Sequence, residues 1–335
     1  MLNVLASGLL LLVLAAAVEG TEPGDTEGVK RTQQPSTGKA VSSFRFTLTG
    51  DPRSSIPRWR HTLRQIKDKV GDEGAFHITA GDYFEDDRST VAADFYEALK
   101  AEFGPDVVWY PGVGNHELKG GATDLEWLRE FYHKHLEGKV NPGPKGCEET
   151  TYSWDYGIAH FVQIDMYWDG SAHHQDGAFS DVLYDWLVGD LNKNTQPIIF
   201  VIYHEPAFPD GRGGKDNPPK GWQRFMKLLN DRKVVAGLCA HTHTYARYQV
   251  PGQWDMFTWE VDAGNAGRMS HSDPHQTFID ITVKSDGRVR FDTWQGTEGN
   301  EFLLTDSWTV RVNIPDGIQK KAVSAGARTL AKAAF

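Results

Sequence analysis

The stretch Ile78-Thr79-Ala80-Gly81-Asp82 runs from an apolar, β-branched segment directly into a glycine turn that ends on a carboxylate. Four other segments repeat this design, with a strand-like run that stops at a polar side chain. The polar side chains at these ends belong to Asp51, Asn115, His204 and the pair His241 and His243. Because the carboxyl ends of strands in an open α/β sheet border a common crevice, the five segments predict one shared site.

Alternation of strand-like and helix-like segments sets the predicted fold class. Runs rich in β-branched and aromatic residues predict strands at residues 44–49, 75–80, 107–111, 151–156, 160–166, 198–203, 234–239, 256–262, 276–283 and 287–294. Apolar residues at helical spacing predict helices at residues 57–69, 89–102, 124–137, 180–193 and 219–231. The later strands lack helices between them, so we expect an α/β fold of two packed sheets with helices outside.

Composition and charge narrow the class of partner. With 335 residues, of which 39% are hydrophobic, the chain can bury a sizeable core. The formal net charge of -10 argues against a nucleic-acid-binding surface, because surfaces that neutralise phosphates are usually basic. A cationic pocket could still attract phosphate locally, so small anionic esters remain candidate substrates.

The N-terminal residues predict export. Val4 to Ala17 form an apolar run followed by small residues, which is typical of a signal peptide and places one at residues 1–20. The run is shorter than the ~20 residues of a membrane span, and no second run follows, so no span is expected after signal removal. A retained N-terminal anchor is the alternative, because Lys and Arg are missing before the run. We therefore expect a secreted or periplasmic protein.

Composition also divides the rest of the chain. Residues 21–41 are rich in Gly, Thr, Pro, Gln and Ser, which predicts a flexible leader. Residues 42–312 carry all the predicted strands and helices and form the main domain. Residues 313–335 are predicted to be a C-terminal tail.

Two long connections, at residues 166–179 and 206–219, exceed the usual loop length, so we expect them to border the site.

The two cysteines exclude a disulfide scaffold, but whether Cys147 pairs with Cys239 stays open. The oligomeric state does not follow from the sequence.

The residue types at the strand ends are those that bind metal ions. Oxygen ligands are offered by Asp51, Asp82 and Asn115, and imidazole nitrogens by His204, His241 and His243. These ligands suit Zn, Fe or Mn, and the ligand set alone does not identify the metal. A single strand-end Asp or Asn commonly caps a turn, but the ordered set is hard to obtain by coincidence.

The predicted metal site suggests a hydrolytic mechanism. Two cations about 3.5–4 Å apart can bind a phosphoryl oxygen and lower the pKa of a bridging water. The leading chemistry is therefore phosphate-ester hydrolysis by a dimetal-activated hydroxide, with Asp82 as the bridging, catalytic carboxylate. His116, next to Asn115, is expected to contact the substrate and donate a proton to the leaving group. Glu117 is expected to orient His116 or to be structural.

Several local stretches occur in the order and spacing of a known family. They are Tyr152-Ser153-Trp154-Asp155-Tyr156-Gly157 leading to His160-Phe161-Val162, then Tyr203-His204-Glu205-Pro206, and His241-Thr242-His243-Thr244-Tyr245 with Arg247. The chain resembles the calcineurin-like metallophosphoesterase superfamily, and within it the purple acid phosphatase group, over residues 44–294. The resemblance implies a four-layer α/β-β/α sandwich and a minimal catalytic domain at 42–312, without the β-sandwich extension of larger members.

The resemblance also implies which side chains hold which ion. Asp51, Asp82 and His243 would hold the first ion. Asp82, Asn115, His204 and His241 would hold the second, with His116 near the scissile ester.

The sequence departs from the family pattern at three positions. The family's Asp-x-His reads Asp51-Pro52-Arg53, so a histidine ligand is absent, and Arg53 is a candidate for binding the phosphate. Glu85 stands where purple acid phosphatases have a metal-binding tyrosine, so it is either an oxygen ligand or a surface carboxylate. Ala240 replaces the glycine before His-x-His and is tolerated if its φ is negative.

Phosphate monoesters are the expected substrates, as for an acid phosphatase. A phosphodiesterase of the same fold is the first alternative, because the sequence does not position the long connections that choose the substrate. A relative that binds a metal or ligand without turnover is the second, motivated by the missing ligands of the first ion.

Overall fold

Two mixed β-sheets with helices outside them form the fold in the computed structural model. The structure describes residues 43–53, 55–84, 91–119, 122–174, 176–208, 218–249, 257–268 and 274–315. The predicted signal peptide, the leader and most of the C-terminal tail lie outside these residues. Within the described ranges, no helix combines the length and the apolar character that crossing a membrane requires.

The described ranges contain thirteen strands and five α-helices. The strands are β1 (Ser43–Thr49), β2 (Gly74–Thr79), β3 (Trp109–Pro111), β4 (Asn141–Pro142), β5 (Tyr152–Tyr156), β6 (Ala159–Gln163), β7 (Ile198–Ile202), β8 (Ala236–Cys239), β9 (Tyr245–Tyr248), β10 (Trp259–Ala263), β11 (Gln276–Lys284), β12 (Arg288–Gly296) and β13 (Leu303–Arg311). The helices are α1 (Ile56–Val70), α2 (Val91–Phe103), α3 (Ala122–Leu136), α4 (Asp181–Lys193) and α5 (Trp222–Asp231). Short 3₁₀ turns cover Gly71–Glu73 and Asn115–Leu118.

The order of the strands gives each sheet a parallel centre. The first sheet has the order β13-β12-β11-β1-β2-β3, in which β1, β2 and β3 run parallel and the others antiparallel. The second has the order β4-β5-β6-β7-β8-β10-β9, in which β6, β7, β8 and β10 run parallel. The predicted α/β class with two mixed sheets is confirmed.

The helices cover the outer faces of the sheets. Helix α1 contacts β11 and α2 on the side of the first sheet. On the same side, Nε2 of His135 in α3 lies 2.7 Å from the carbonyl oxygen of Trp109 in β3. On the second sheet, the Ser153 hydroxyl of β5 donates a 2.8 Å hydrogen bond to Asp190 of α4. These contacts produce the four layers that the family resemblance implies.

Aromatic rings fill the space between the two sheets. Phe46 of β1 stacks on Phe76 of β2, with ring centroids 5.1 Å apart. It also makes edge contacts with Phe161 of β6 and Phe200 of β7, at 5.2 Å and 5.3 Å. All four side chains are buried. Because each buried phenylalanine contributes about 1.5–3 kcal/mol, this cluster is a main attachment between the sheets.

The predicted helices and strands all occur, but the sequence pattern does not predict β4, β9 or β13. β13 is the edge strand of the first sheet, and most of its residues face solvent. Leu303 is 65% exposed and Leu304 is 45% exposed. An edge strand with so little buried surface lacks the apolar alternation that marks a strand in the sequence.

Two features that the sequence left open are visible in the structure. Cys147 and Cys239 are both buried and free, so no disulfide joins them. The connection at residues 166–179 forms a β-bridge between Trp168 and His173 and another between Ala178 and Lys220, which ties it to the chain before α5.

Replacing Phe161 by alanine should lower the free energy of unfolding by about 3–5 kcal/mol, because the ring packs between the sheets and its loss leaves a cavity. Denaturant-induced unfolding measures this change. Leu303→Ala is the matched control: it also truncates a large apolar side chain, but on the exposed edge strand, and should change stability by less than about 0.5 kcal/mol. Equal losses in both variants would contradict the assignment of the core.

Candidate metal centre

The polar strand ends converge, and they come from two different sheets. Asp51, Asp82 and Asn115 follow β1, β2 and β3 of the first sheet. His204, His241 and His243 follow β7 and β8 of the second sheet. The first sheet therefore supplies oxygen atoms and the second supplies imidazole nitrogens.

Asp51, Asp82 and His204 form the middle of this centre, each offering an atom within 4.8 Å of the others. Asp82 Oδ1 lies 3.4 Å from His204 Nε2, and Asp51 Oδ1 lies 3.1 Å from His243 Nε2. His241 joins the group through its Nδ1, which lies 3.3 Å from His204 Nε2. The three central side chains are completely buried. The middle of the centre is therefore a compact buried cluster, whereas Asn115 and His241 are partly exposed.

Hydrogen bonds fix how two of the histidines are presented. Nδ1 of His204 lies 2.7 Å from the carbonyl oxygen of Ala80, so this nitrogen carries a hydrogen and Nε2 faces Asp82. The backbone N–H of His241 donates a 2.7 Å hydrogen bond to Asp51 Oδ2. This bond crosses from the second sheet to the first.

The backbone is strained at four of the predicted site residues. Asp51, Asp82, His241 and His243 have positive φ angles of 46°, 63°, 73° and 64°. Apart from Lys233, no other non-glycine residue of the described ranges has a positive φ. Such conformations cost about 1–3 kcal/mol each and persist only where the surrounding structure holds them. Ala240 is not among them, so it meets the condition for replacing the family's glycine.

Glu117 holds the loop that carries Asp82. Its carboxylate accepts hydrogen bonds from the backbone N–H groups of Asp82 (2.8 Å), Tyr83 (2.6 Å), Phe84 (3.2 Å) and Gly114 (2.6 Å). Burial raises the pKa of Glu117 to about 7, Asp82 adds to the rise, and the N–H groups of Gly114 and Asp82 oppose it. Of the two roles considered for Glu117, the contacts support the structural one.

Arg53 lies inside the centre and is only 3% exposed. Its Nε lies 3.3 Å from Asp82 Oδ2 and 3.9 Å from Asp51 Oδ1. One terminal nitrogen, Nη2, lies 3.1 Å from His243 Nε2. The other, Nη1, lies 2.7 Å from His116 Nδ1. The guanidinium therefore contacts four of the predicted site residues at once.

His116 lies at one side of the centre, between two cationic side chains. Its Nε2 is 4.0 Å from Asp82 Oδ2 and 2.7 Å from Nζ of Lys119. Burial lowers the pKa of His116 to about 4; Asp82 opposes this, and Arg53 and Lys119 lower the pKa further. Lys119 was not among the predicted site residues. Its spacing of three residues from His116 was the available signal, because side chains at i and i+3 align in a 3₁₀ turn.

The charges of the centre favour a cation. Burial raises the pKa of Asp82, but His204 and Arg53 outweigh burial and hold the pKa well below its ordinary value. Burial also raises the pKa of Asp51, but His243 outweighs it and lowers this pKa below its ordinary value. Burial lowers the pKa of His204, yet Asp82 outweighs it and raises this pKa to about 10. Two ionised, buried carboxylates thus attract a proton onto His204, as they would attract a metal ion.

The residues fit a bound metal ion. Three buried oxygens lack a hydrogen-bond donor in good geometry, namely Asp51 Oδ1, Asp82 Oδ2 and Asn115 Oδ1. The two carboxylate oxygens face ion-pair partners instead, His243 Nε2 at 3.1 Å and Arg53 Nε at 3.3 Å. Buried polar atoms in native proteins nearly always have a partner, and an ion serves as one. Carboxylate and amide oxygens together with imidazoles form a ligand set that first-row divalent metals accept.

Of three further residues near the family's motifs, Glu85 cannot be placed, and Tyr83 and Arg247 have partners outside the centre. Glu85 lies outside the described residues, so its role as a ligand stays a prediction. The Tyr83 hydroxyl donates a hydrogen bond to the carbonyl oxygen of Thr79 at 3.1 Å, so Tyr83 does not replace the family's tyrosine. Arg247 pairs with Asp306 of β13 at 2.6 Å and is structural.

This fold and this buried cluster of ligands define a metallophosphoesterase. The chain belongs to the calcineurin-like phosphoesterase family, whose sequence model matches residues 44–245. The predicted superfamily is confirmed, and the family is one of phosphoesterases, in line with the predicted enzyme class. No curated protein matches the chain.

Solved structures support the same fold. A purple acid phosphatase from yellow lupin (Lupinus luteus) seeds superposes with a TM-score of 0.59 at 17% identity, covering 84% of this chain and 56% of that one. The chain thus spans little more than half of the lupin enzyme. A dimetal phosphatase of Danio rerio gives 0.53 at 13% identity, with 80% and 98% covered. GAP50 of Plasmodium, described as the anchor in the inner membrane complex, gives 0.52 at 11% identity, with 85% and 95% covered.

Replacing Gly114 by alanine should weaken metal binding about tenfold or more, because the added Cβ would lie 2.2 Å from Asp82 Oδ1 and displace that carboxylate. Titration of the metal-free protein with Zn²⁺ measures the affinity. Gly189→Ala in α4 is the matched control, since a Cβ there has no neighbour within 4 Å. It should leave the affinity unchanged and raise stability by about 0.5–1 kcal/mol. Unaltered affinity in the Gly114 variant would remove Asp82 from the binding site.

Proposed function

We propose that the protein hydrolyses phosphate monoesters with metal bound among Asp51, Asp82, Asn115, His204, His241 and His243. The observation that carries the proposal is the buried cluster of Asp51, Asp82 and His204, whose ligand atoms lie within 4.8 Å of one another. Ionised carboxylates that are buried are unfavourable unless cations lie next to them. A bound metal ion would be such a cation.

The side chains of the chain itself would prepare and hold the reacting groups. A bound metal would lower the pKa of a water and draw electron density from the phosphoryl group. Asp82 is the residue best placed to hold that centre, because its two oxygens face different partners, Arg53 and His204. The hydrogen bond from His204 to Ala80 keeps the imidazole oriented without help from a ligand.

His116 is the proposed proton donor to the leaving group. It lies beside the cluster rather than within it, at 4.0 Å from Asp82 Oδ2. Its lowered pKa reflects burial and the two cationic neighbours, Arg53 and Lys119. A phosphate dianion bound against these cations would offset their charge and raise the pKa of His116, so the proton would be available when substrate is present.

The same two cations favour a monoester over a diester. A phosphate monoester carries up to two negative charges and a diester only one, so Arg53 and Lys119 would bind the monoester more strongly. A phosphodiesterase of the same fold stays the alternative. A relative without turnover is the other alternative: the Plasmodium neighbour is described as an anchor, although its likeness is one of fold alone.

The protein is also proposed to act outside the cytoplasm, in a secreted or periplasmic form. The apolar run from Val4 to Ala17 within residues 1–20 supports this part of the proposal. Detection of the mature N-terminus by mass spectrometry of exported protein would locate the cleavage.

The first test is hydrolysis of p-nitrophenyl phosphate and bis(p-nitrophenyl) phosphate by the purified full chain. The protein is stripped of metal and resupplied with Mn²⁺, Zn²⁺ or Fe²⁺. Turnover of the monoester should return with metal and should be lost in Asp82→Asn, because the amide removes the charge that holds the ion. Asp181→Asn, at an exposed carboxylate of α4, is the matched control and should behave as wild type. If metal restored turnover of the diester alone, the result would favour the phosphodiesterase. If neither ester were hydrolysed with any metal, the result would favour the relative without turnover.

The second test concerns the leaving group. His116→Ala should retain the metal but lower kcat most for esters with poor leaving groups, such as alkyl phosphates, by roughly 10²–10⁴-fold. For p-nitrophenyl phosphate, whose leaving group needs little protonation, the loss should be smaller. His133→Ala, on the exposed face of α3, controls for removing an imidazole. An equal loss for both classes of ester would exclude the acid role.

A further inference from the structure

Arg53 occupies the place where the family pattern puts the first ion. Its guanidinium is buried and reaches three ligand atoms with two of its nitrogens. Nε lies 3.3 Å from Asp82 Oδ2 and 3.9 Å from Asp51 Oδ1, and Nη2 lies 3.1 Å from His243 Nε2. Asp51, Asp82 and His243 are the three side chains that an ion at this place would need. The guanidinium already contacts all three.

The other set of ligands is arranged differently. Asp82 Oδ1, which faces away from Arg53, lies 3.4 Å from His204 Nε2. His241 Nδ1 also turns toward this nitrogen, at 3.3 Å. Asn115 Oδ1 is also buried without a hydrogen bond. Asp82 therefore connects two unlike places, one occupied by a side-chain cation and the other approached by the imidazoles of His204 and His241.

A metal ion and the Arg53 guanidinium cannot both lie among Asp51, Asp82 and His243, because they would overlap and repel each other. Metal–oxygen and metal–nitrogen bonds of about 2.0–2.2 Å would put an ion among the same three atoms that the guanidinium contacts. An arginine keeps its charge at any accessible pH, so it would repel a divalent ion from this place. With Asp51 and Asp82 ionised, one divalent ion and Arg53 leave the centre with a single positive charge, which suits a phosphate ligand.

We infer that Arg53 takes the place of one of the two metal ions, so that the centre binds a single divalent ion through Asp82, Asn115, His204 and His241. Asp51 and His243 then position the guanidinium rather than a metal. The inference rests on the proposed metal-dependent function, but it concerns how many ions bind and not whether turnover occurs.

The number of bound ions tests the inference. The purified full chain is stripped of metal, loaded with excess Zn²⁺, desalted and analysed for zinc per chain. Wild type should retain about one ion. Arg53→His, which restores the imidazole of the family's Asp-x-His, should retain about two. Arg60→Ala is the matched control: it removes one arginine charge from the exposed face of α1 and should retain about one.

Loading with Mn²⁺ gives a second readout that does not depend on recovery during desalting. Wild type should show the electron paramagnetic resonance spectrum of an isolated Mn²⁺, whereas Arg53→His should show the spectrum of a spin-coupled pair. Circular dichroism before loading establishes that both proteins are folded. Arg53→Lys, which keeps a charge at the same position, should stay with one ion.

The outcomes separate this inference from the proposed function. Two ions in wild type would overturn the inference, even if the protein is an active phosphatase, and would leave Glu85 as the first candidate for the extra ligand. No bound ion in folded wild type would overturn both. One ion in wild type and two in Arg53→His would support the inference, even if neither protein hydrolyses an ester.

Discussion

The carboxylate of Glu117 and its four backbone N–H donors are the contact on which the centre depends. The donors come from Asp82, Tyr83, Phe84 and Gly114, so one side chain ties the end of β2 to the turn after β3. Left without an acceptor, each buried N–H would cost about 1–3 kcal/mol. These hydrogen bonds hold Asp82 in its positive-φ conformation. That conformation places the Asp82 carboxylate between Arg53 and His204.

Because the oxygen ligands lie on one sheet and the imidazoles on the other, the two buried carboxylates have cationic neighbours. Asp51 and Asp82 are buried side by side, which would be unfavourable if only neutral groups surrounded them. His204 and His243 approach them from the second sheet, and Arg53 lies between them. The fold therefore brings partly compensating charges to one point before any ligand binds. The same arrangement places His116 next to cations, which suits an anionic substrate better than a neutral one.

Much of the fold and of the ligand set could be predicted from the sequence, because each ligand ends an apolar strand and parallel strands share one edge. The edge strand β13 could not, since its exposed side chains carry no apolar alternation. The sequence allows two roles for Glu117, because a carboxylate that accepts backbone N–H groups has no sequence signature. The departure at Arg53 was recognised, but only the distances reveal that its guanidinium points inward at Asp51 and His243 as well as at Asp82.

The contacts that join the two sheets at the metal centre have a consequence for how fast the protein is degraded. The hydrogen bond from His241 to Asp51 and the contact of His204 with Asp82 both join one sheet to the other. An ion held there would act as a clamp, and at a concentration 100-fold above its Kd it would add about 2.7 kcal/mol to the free energy of unfolding. Because proteases attack the opened form, the supply of metal would then control how long the chain survives digestion.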